Sequence, residues 1–412
     1  MSLLFPTETI KEGSVRILVP TLKKPHTYIP SKLPVFYNPR MELNRDIAVV
    51  SLRAYQKMVG HPLSVCDPMA GCGVRGIRFA TEVSGIERVI INDLTPEASR
   101  LATLNVKRNR LSNRITVENM DANLLLSLHS SPGRRFDFID IDPFGSPSPF
   151  LDSAVRATVN GGLIALTATD TAPLCGVRPK ACLRKYFGKP LRTEYCHELA
   201  VRLLISCLAI TAARHGLGIK VLFCHSTNHY IRVYARVVRS KSGANETLEN
   251  IGYILHCFNC FHRELSPGIA SILKSKCNEC NHRLSVAGPL WLKNLFSKKF
   301  FYVMLQEVEN AGLGKTRLVR ILNTISAEID AAPTYYVIDK ISDRFGLQTP
   351  PKKRVLTALI NLGYQASPTH FNYRGIKTNA SAKLVKNIIE QAARSLSNSS
   401  NLEIQHQGPK SL

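Results

Sequence analysis

The sequence predicts an α/β protein in which a parallel, doubly wound sheet precedes a smaller α+β domain. Short apolar segments with the character of buried strands alternate with helical segments between residues 63 and 238. Repeated βα units of this kind build a parallel sheet. The length of 412 residues is that of about two domains or slightly more. We expect domains over 1–245 and 246–400, followed by a disordered tail over 401–412.

Seven segments have the length and side-chain composition of strands. They cover 63–66, 88–92, 115–118, 136–141, 163–167, 219–223 and 231–238. The last two flank a short polar segment and can form an antiparallel hairpin at the edge of the sheet. A helix around 194–214 is apolar on most of its circumference, which predicts burial. The polar stretch 240–250 is typical of a domain boundary or a long hairpin loop.

Charge and cysteine usage limit the function classes. The net charge is +24 and the basic residues are spread over both halves, which favours a long polyanion as partner, RNA or DNA first. A general solubility effect is the alternative. Of the 11 cysteines, four are paired in sequence and seven are scattered, as in a reducing compartment. No signal peptide or membrane span is visible, and no protein partner is implied. We expect a cytoplasmic protein.

The tetrapeptide Asp142-Pro143-Phe144-Gly145 follows the strand predicted over 136–141. Proline cannot donate to a sheet ladder, so the strand ends there, at the edge where open α/β sheets bind ligands. An acid, a rigid turn and an aromatic ring suit an enzyme that acts on the exocyclic nitrogen of a flat base. Asp142 and the Pro143 carbonyl would accept the two amine protons, and Phe144 would stack on the base. The alternative is an acidic turn with a half-buried phenylalanine.

The first predicted strand leads into a glycine-rich turn. Gly71, Gly73 and Gly76 fit the dinucleotide-binding pattern G-x-G-x-x-G, a weak signal by itself. Asp67, at the end of the strand, would repel a pyrophosphate but suits the ammonium group of a methionine moiety. This favours S-adenosyl-L-methionine over NAD, and an NAD-dependent oxidoreductase is the alternative.

Acids also end the next two predicted strands. Asp93 follows the second strand and is placed to accept hydrogen bonds from ribose hydroxyls. Asp121 and Ala122 follow the third strand, where an acid can meet an adenine amino group and a small residue leaves space for the ring. The alternative for either aspartate is a helix N-cap.

These acids, glycines and the Asp142 turn resemble a class I (Rossmann-like) methyltransferase acting on an amino nitrogen. Several segments make the resemblance specific to the tRNA (guanine-26-N2) dimethyltransferase family. They are FYNPRMELNRD, DPMAGCGVRGIRFA, DIDPFGSPSPFLDSAV, TDTAPLCGVRPKACLRKYFG and THFNYRGIKTNAS. The resemblance implies transfer of one or two methyl groups from S-adenosyl-L-methionine to N2 of a guanine in tRNA.

The same resemblance implies roles for individual residues. Arg45 and Arg75 would contact the methyl donor together with Asp93, Asp121 and Ala122. Asp142 would be the catalytic acid. Without the resemblance, ion pairs on a helix surface would be the favoured explanation for both arginines.

Two cysteine pairs predict a metal site. Cys257-x2-Cys260 and Cys277-x2-Cys280 have the spacing of a zinc ribbon, in which four thiolates complete a closed tetrahedral Zn²⁺ site with a structural role. Four unliganded thiols are the alternative.

The segment 316–364 has helix–turn–helix spacing and resembles the winged-helix-like unit of the family. Its basic run Lys352-Lys353-Arg354 would contact phosphates, or else form a solvated face. Residues 369–371 and 374–377 combine aromatic and basic groups that suit an RNA backbone. A non-catalytic zinc-ribbon RNA-binding protein is therefore a further alternative to the enzyme, and tRNA is the expected partner.

Overall fold

The structure is a computed structural model that describes residues 3–21, 33–227, 229–313 and 317–405, with the backbone alone given for 395–405. The chain begins with an antiparallel hairpin and a long helix that starts after a short 3₁₀ turn over Pro39–Met41. These elements are β1 (Thr7–Glu12), β2 (Val15–Pro20) and α1 (Glu42–Val59).

Strands and helices then alternate as the sequence predicts. The elements are β3 (Leu63–Asp67), α2 (Val74–Glu82), β4 (Ile86–Asn92), α3 (Pro96–Arg108), β5 (Ile115–Glu118), α4 (Ala122–Leu128), β6 (Phe136–Ile141), α5 (Leu151–Ala157), β7 (Thr158–Ala168), α6 (Thr171–Leu174), α7 (Pro179–Tyr186), α8 (Cys196–Arg214), β8 (Gly218–Thr227) and β9 (Tyr230–Val238).

The seven strands β3 to β9 form one sheet in the order β5-β4-β3-β6-β7-β9-β8. The pairs among β3 to β7 are parallel, whereas β9 is antiparallel to both of its neighbours. The predicted edge hairpin is therefore confirmed, with β8 outermost. The chain moves outward from β3 to β5 and then returns to place β6 on the other side of β3. This reversal of direction is where doubly wound sheets bind ligands.

The stretch 240–250, predicted as a boundary or a loop, is mostly helical: α9 covers Lys241–Glu249. The Ser240 side chain caps this helix by accepting from the Gly243 N–H. Thr247 is buried, and its hydroxyl accepts from the Ile219 N–H at 2.9 Å. Tertiary anchoring thus outweighs the poor helix propensity of this segment.

The four paired cysteines lie in the two connections between the strands of a small antiparallel sheet of order β11-β10-β12. Its strands are β10 (Ile251–His256), β11 (Arg263–Pro267) and β12 (Ser285–Trp291).

The C-terminal part has winged-helix topology from α11 onward, as predicted: helix, short strand, two helices and a hairpin, with sheet order β13-β15-β14. The elements are α10 (Lys298–Asn310), α11 (Arg317–Glu328), β13 (Tyr336–Val337), α12 (Ile338–Phe345), α13 (Lys352–Asn361), β14 (Ala366–Thr369), β15 (Asn372–Thr378) and α14 (Ala382–Gln405). Thr316, where the predicted unit began, lies outside the described residues.

The tail 401–412, which we expected to be disordered, is helical over 401–405 because α14 continues to Gln405. Extending a formed helix needs no new nucleation, which is the costly step. Residues 406–412 lie outside the described part of the chain.

Helix α8 is the central helix of the protein. Among the described residues it alone is long and apolar enough to cross a membrane by length and composition, yet 72% of its apolar window is buried within the protein. It carries Glu198, which is fully buried and accepts hydrogen bonds from Lys377 Nζ at 2.7 Å and from the Thr334 N–H at 2.8 Å. Arg202, one turn later, pairs with the same carboxylate at 2.8 Å. A single buried acid therefore joins α8 to β15 of the winged-helix-like unit.

The expectation that 369–371 and 374–377 contact RNA is wrong for 369–371 and 375–377, which are almost fully buried. Arg374 is partly exposed and pairs with Asp339. Glu328 accepts hydrogen bonds from the Thr369 hydroxyl and the His370 N–H, and Lys377 pairs with Glu198. A run of aromatic and basic residues can form either an internal contact or an RNA-binding surface. Here the buried acids Glu328 and Glu198 bind these side chains inside the protein.

We predict that Glu198→Gln lowers the free energy of unfolding by about 3–5 kcal/mol, because it leaves Lys377 buried without its counter-charge. Burial alone would raise the pKa of Glu198, but Lys377 and Arg202 lower it to about 2. The ion pair therefore stabilises the fold fully above the ordinary glutamate pKa, and this contribution is lost as the pH falls towards 2. Urea denaturation at neutral and acidic pH measures both effects.

The matched control is Asp330→Asn, which removes a lysine–carboxylate pair of the same 2.7 Å length. Both of its side chains, on Lys298 and Asp330, are more than half exposed, so solvent screens the pair. We expect almost no change in stability for this variant. Equal stability losses in the two variants would contradict the role given to Glu198.

Candidate active site

A cavity of about 620 Å³ opens at the carboxyl edge of the central sheet, at the chain reversal between β3 and β6. It brings together most of the residues singled out from the sequence. These are Arg45, Gly71, Asp93, Asp121, Ala122, Asp142, Pro143 and Phe144. Sequence reasoning missed Phe36, Asn38 and Thr169, which also line it. All three lie in segments that carry the family resemblance, FYNPRMELNRD and TDTAPLCGVRPKACLRKYFG, which is the sequence signal that could have found them.

A second cavity of about 50 Å³ shares Arg45 and Asp142 with the first and adds Asp67 and Arg75. The remaining candidate, Gly73, lines neither cavity. It begins α2 with φ +80°, and a Cβ there would lie 3.1 Å from that of Ala102. The structure therefore gives Gly73 a packing role in the turn between β3 and α2.

Asp67 lies at the end of β3 and is almost fully buried. Its Oδ2 accepts from the Gly76 N–H at 3.1 Å, at the start of α2. Burial raises the pKa of Asp67 to about 7, helped by the carboxylates of Asp140 and Asp142 and opposed by Arg75. This acid therefore changes its charge near neutral pH, which sets it apart from an ordinary aspartate.

Asp93 and Asp121 each combine a structural contact with a place in the cavity wall. Asp93 Oδ2 accepts from the Gly71 N–H at 2.9 Å, which joins the end of β4 to the glycine turn. Asp121 caps α4, since its Oδ1 accepts from the N–H groups of Asn123 and Leu124. The N-cap alternative is thus realised for Asp121. No described residue donates to its Oδ2, so capping leaves that oxygen for a ligand.

Asp142 is held by a buried ionic network. Arg75 Nη2 donates to Asp142 Oδ2, and Arg75 Nη1 lies 3.6 Å from Asp140 Oδ2. Arg232 Nη2 pairs with Asp140 Oδ2 at 2.5 Å, and neither of these two side chains is exposed. Sequence reasoning missed Asp140 and Arg232. The sequence offered no local signal for them, because β6 and β9 each carry a second charged residue, Asp137 and Arg236.

This network determines the charge of Asp142. Burial would raise its pKa, but the guanidinium groups of Arg75 and Arg232 outweigh burial and leave the pKa below the ordinary value. At neutral pH the side chain is therefore a carboxylate that accepts hydrogen bonds and binds protons only weakly.

The two arginines expected near a methyl donor are buried, so the alternative of surface ion pairs is wrong for both. Arg75 pairs with Asp142, as described above. Arg45 pairs with Glu12 through two short contacts, one of them 2.6 Å from its Nε, and lies 5.3 Å from the centre of the Tyr37 ring. Because Glu12 ends β1, this pair ties the N-terminal hairpin to the cavity wall.

The turn after β6 presents an aromatic ring at the mouth of the cavity. Phe144 is 67% exposed and makes an edge-to-face contact with Phe36, with ring centres 4.6 Å apart. The next residue, Gly145, has φ +84°. Its N–H donates to the Thr169 hydroxyl at 2.7 Å, and its carbonyl accepts from the Thr169 N–H at 2.9 Å. Anchoring to the end of β7 fixes the turn while most of the Phe144 ring stays accessible.

The four paired cysteines converge on one point. All four sulfurs lie within 4.8 Å of one another, with 3.4 Å between Cys257 and Cys280 and 3.6 Å between Cys260 and Cys277. Each pair is followed by a residue with left-handed backbone, at φ 62° and φ 60°. Each first cysteine accepts an N–H from that residue at 2.9 Å. The two turns therefore have the same geometry and form a cluster that can hold a metal ion.

Comparison with known proteins places this fold and site in one family. The sequence model of the family described as N2,N2-dimethylguanosine tRNA methyltransferase matches residues 13–390. The chain belongs to this family. The tRNA (guanine(26)-N(2))-dimethyltransferase of Methanosphaera stadtmanae is 42% identical over 384 residues, which cover 93% of this chain and 96% of that protein.

Two further members extend the comparison. The tRNA (guanine(26)-N(2)/guanine(27)-N(2))-dimethyltransferase of Aquifex aeolicus is 35% identical over 386 residues, covering 93% of this chain and 96% of that protein. A solved structure of Trm1 from Pyrococcus horikoshii with S-adenosyl-L-methionine is 36% identical, with a TM-score of 0.82, and the match covers 93% of this chain and all of that one. The class I methyltransferase fold predicted from the sequence of this family member is confirmed.

Proposed function

We propose that this member of the dimethylguanosine tRNA methyltransferase family transfers one or two methyl groups from S-adenosyl-L-methionine to the exocyclic N2 of a guanine in tRNA. The family and the names of its relatives support this reaction, with position 26 as the expected target. The observation that carries the proposal is an ionised Asp142 beside an exposed Phe144 on the rim of one cavity. An NAD-dependent oxidoreductase or a non-catalytic RNA-binding protein would not need that pair.

The residues that line the two cavities suit each part of the methyl donor, from its methionine end to its adenine ring. Asp67 would face the methionine ammonium, and Asp93 would accept from the ribose hydroxyls. Asp121 would meet the adenine amino group through its remaining oxygen, with Ala122 leaving space for the ring. Arg45, which lines both cavities, is placed to meet the methionine carboxylate. The Trm1 complex with S-adenosyl-L-methionine supports this choice of donor.

The acceptor guanine must leave its base stack to reach the rim of the cavity. Its flat ring would stack on Phe144, and the N2 amine would donate its two protons to the Asp142 carboxylate and the Pro143 carbonyl. These two acceptors fix the amine so that the nitrogen lone pair is directed into the cavity. The fixed turn after β6 supplies this orientation without rearrangement.

The donor supplies an electrophilic methyl group on a sulfonium. The N–C bond forms as the C–S bond breaks, and the nitrogen then releases one proton. Because its pKa is lowered, Asp142 is a weak base, so its main contribution is to orient the amine and stabilise the positive charge that develops there. It can still take a proton from the strongly acidic methylated nitrogen, or water can. The monomethylated amine keeps one N–H, so one acceptor suffices for the second transfer.

We predict that Asp142→Ala lowers the methylation rate by about 10²–10⁴-fold while leaving tRNA binding unchanged. The assay is incubation with donor and unmodified tRNA, followed by mass analysis of the nucleosides. Asp152→Ala is the control, because this carboxylate on α5 is more than half exposed and should leave the rate unchanged. Wild-type turnover in Asp142→Ala would refute the mechanism, and wild-type protein that forms no methylated guanosine would refute the function.

For the cysteine cluster we propose a structural Zn²⁺ site. A tetrahedron with Zn–S bonds of about 2.3 Å has sulfurs about 3.8 Å apart, and the two measured separations of 3.4 Å and 3.6 Å are close to this. Four thiolates leave no open position, so such an ion stabilises its small sheet and takes no part in the reaction. All 11 cysteines are free thiols, which supports a reducing, cytoplasmic location.

Cys257→Ser should therefore release the metal and lower the melting temperature, because a structural zinc contributes directly to folding. Metal content by mass spectrometry and thermal unfolding are the measurements. Cys207→Ser, a buried thiol on α8 outside the cluster, should keep one zinc per chain. Wild-type protein that binds no zinc from zinc-supplemented medium would contradict the site.

The domain division is part of the same proposal: a methyltransferase domain over 1–245 and a zinc- and tRNA-binding domain over 246–400. The first boundary falls inside α9. Small apolar cores under α12–α14 and at the cysteine turns support the division, although α10, α11 and much of β10 and β12 pack into the main core. Lys353 and Arg354, exposed at the start of α13, would contact tRNA phosphates.

A further inference from the structure

The later part of one segment that carries the family resemblance has no place in the donor or guanine sites described above. Residues 176–192 include α7 and contain six basic residues and no acidic one. All six are exposed: Arg178, Lys180, Arg184, Lys185, Lys189 and Arg192. In the described part of the chain, Lys185 is the one member of this set that forms an ion pair. The segment thus presents a concentrated positive charge that the described residues do not neutralise.

The same segment exposes apolar side chains. Leu183 and Phe187 are 56% and 65% exposed, and they lie four residues apart, so they adjoin on one face of α7 and its C-terminus. Phe187 has a left-handed backbone at φ 53°, where glycine is the usual residue. A residue with a Cβ is strained in that conformation. A large exposed ring at a strained position is more costly than a glycine would be, which points to a use for the ring.

This surface begins at the mouth of the cavity. Thr169 lines the cavity and bonds Gly145 of the Phe144 turn. The next residue, Asp170, accepts from the Tyr186 hydroxyl and pairs with Lys185 at 2.8 Å. Tyr186 is buried, so it anchors the last turn of α7 against the end of β7. The C-terminal turn of α7 is therefore fixed beside Asp170, the neighbour in sequence of the cavity residue Thr169.

Cationic side chains around an exposed aromatic ring fit a nucleic acid better than a protein or a lipid surface. Guanidinium and ammonium groups bind phosphates, and an exposed ring stacks on an unpaired base. A protein partner would need a larger apolar area than these side chains provide. Stacking on a protein ring requires a base that is not enclosed in a helix. Such a base is available wherever a nucleotide has been flipped out of its helix.

We propose that the α7 face, defined as Arg178, Lys180, Leu183, Arg184 and Phe187, binds the tRNA strand that flanks the target guanine. Its basic residues contact the phosphates beside the flipped nucleotide. Leu183 and Phe187 cover a base or ribose that loses its stacking neighbour. This inference rests on the proposed function and adds a tRNA-binding surface on the methyltransferase part of the chain, separate from the winged-helix-like unit.

The test compares tRNA affinities, measured by filter binding over a range of salt concentrations. Arg178→Gln combined with Arg184→Gln should weaken binding and reduce the salt slope by about one for each lost phosphate contact. Phe187→Ala should weaken binding roughly 5- to 100-fold, the effect of losing one stacked base. Phe187→Tyr keeps a ring at the same backbone position and should bind like the wild type.

A matched control removes the same charge elsewhere. Arg88 and Lys220 are exposed near the amino ends of β4 and β8, at the edge of the sheet opposite the cavity. Arg88→Gln combined with Lys220→Gln should leave tRNA affinity close to that of the wild type. Unchanged affinity for S-adenosyl-L-methionine, measured by calorimetry, verifies that each α7 variant is folded.

The outcomes distinguish a failure of the α7 surface from a failure of the proposed methylation activity. If the wild-type protein methylates tRNA but the α7 variants bind it as well as the control does, the α7 face is not a tRNA-binding surface. If Phe187→Tyr binds tRNA as weakly as Phe187→Ala does, the proposed stacking of Phe187 on a base is wrong. Absence of methylated guanosine with the wild-type enzyme would instead contradict the proposed function.

Discussion

The ionic network beneath the cavity is the interaction on which the rest of this site depends. Asp140 and Asp142 are separated by one residue at the end of β6; Asp140 is fully buried and the Asp142 side chain is only 18% exposed. Two carboxylates so placed would take up protons unless cations compensate them. Arg75 from α2 and Arg232 from β9 supply that compensation. Asp142 is therefore an ionised hydrogen-bond acceptor only because helix α2, the central strand β6 and the antiparallel strand β9 meet at one point of the sheet.

The same constraint explains the arrangement around the network. The strand order places β3, β6 and β9 close enough for side chains from all three regions to meet. At the rim, Thr169 fixes the Phe144 turn by a pair of hydrogen bonds to Gly145. At the opposite wall, Glu12 of the N-terminal hairpin pairs with Arg45. The charge of Asp142, the geometry of the Phe144 turn and the position of Arg45 in the cavity wall are thus each fixed by a contact between elements distant in sequence.

The positions of many site residues could be predicted from the sequence, because they depend on local patterns. Strand periodicity and the prolines and glycines that end strands put Asp67, Asp93, Asp121 and Asp142 at one edge of the sheet, where the structure has them. Cysteine spacing likewise predicted the four-cysteine cluster. Such patterns can be identified in a single segment without knowing which helix or strand packs against it.

The remainder depends on long-range contacts, which leave little trace in a local segment. Arg232 is unremarkable until its partner Asp140 is known to lie beside it. Residues 369–371 look like an RNA-binding loop until buried Glu328 is found against them. The stretch 240–250 has the composition of a loop, and it is helical because Ser240 caps it and Thr247 packs against β8. In each case the deciding energy comes from a group about 28 to 92 residues away in sequence.

The most direct test is the pH dependence of the single-turnover methylation rate at saturating donor and tRNA, for the wild type and Arg75→Gln. Saturating donor should keep Asp67 ionised, because the methionine ammonium would lie against it. If Arg75 likewise keeps Asp142 ionised, the wild-type rate should not fall on the acid side between about pH 5.5 and 8. The variant should lose rate as the pH falls, because burial and Asp140 then raise the pKa of Asp142. An acid limb in the wild type, or identical flat profiles for the two proteins, would contradict the account.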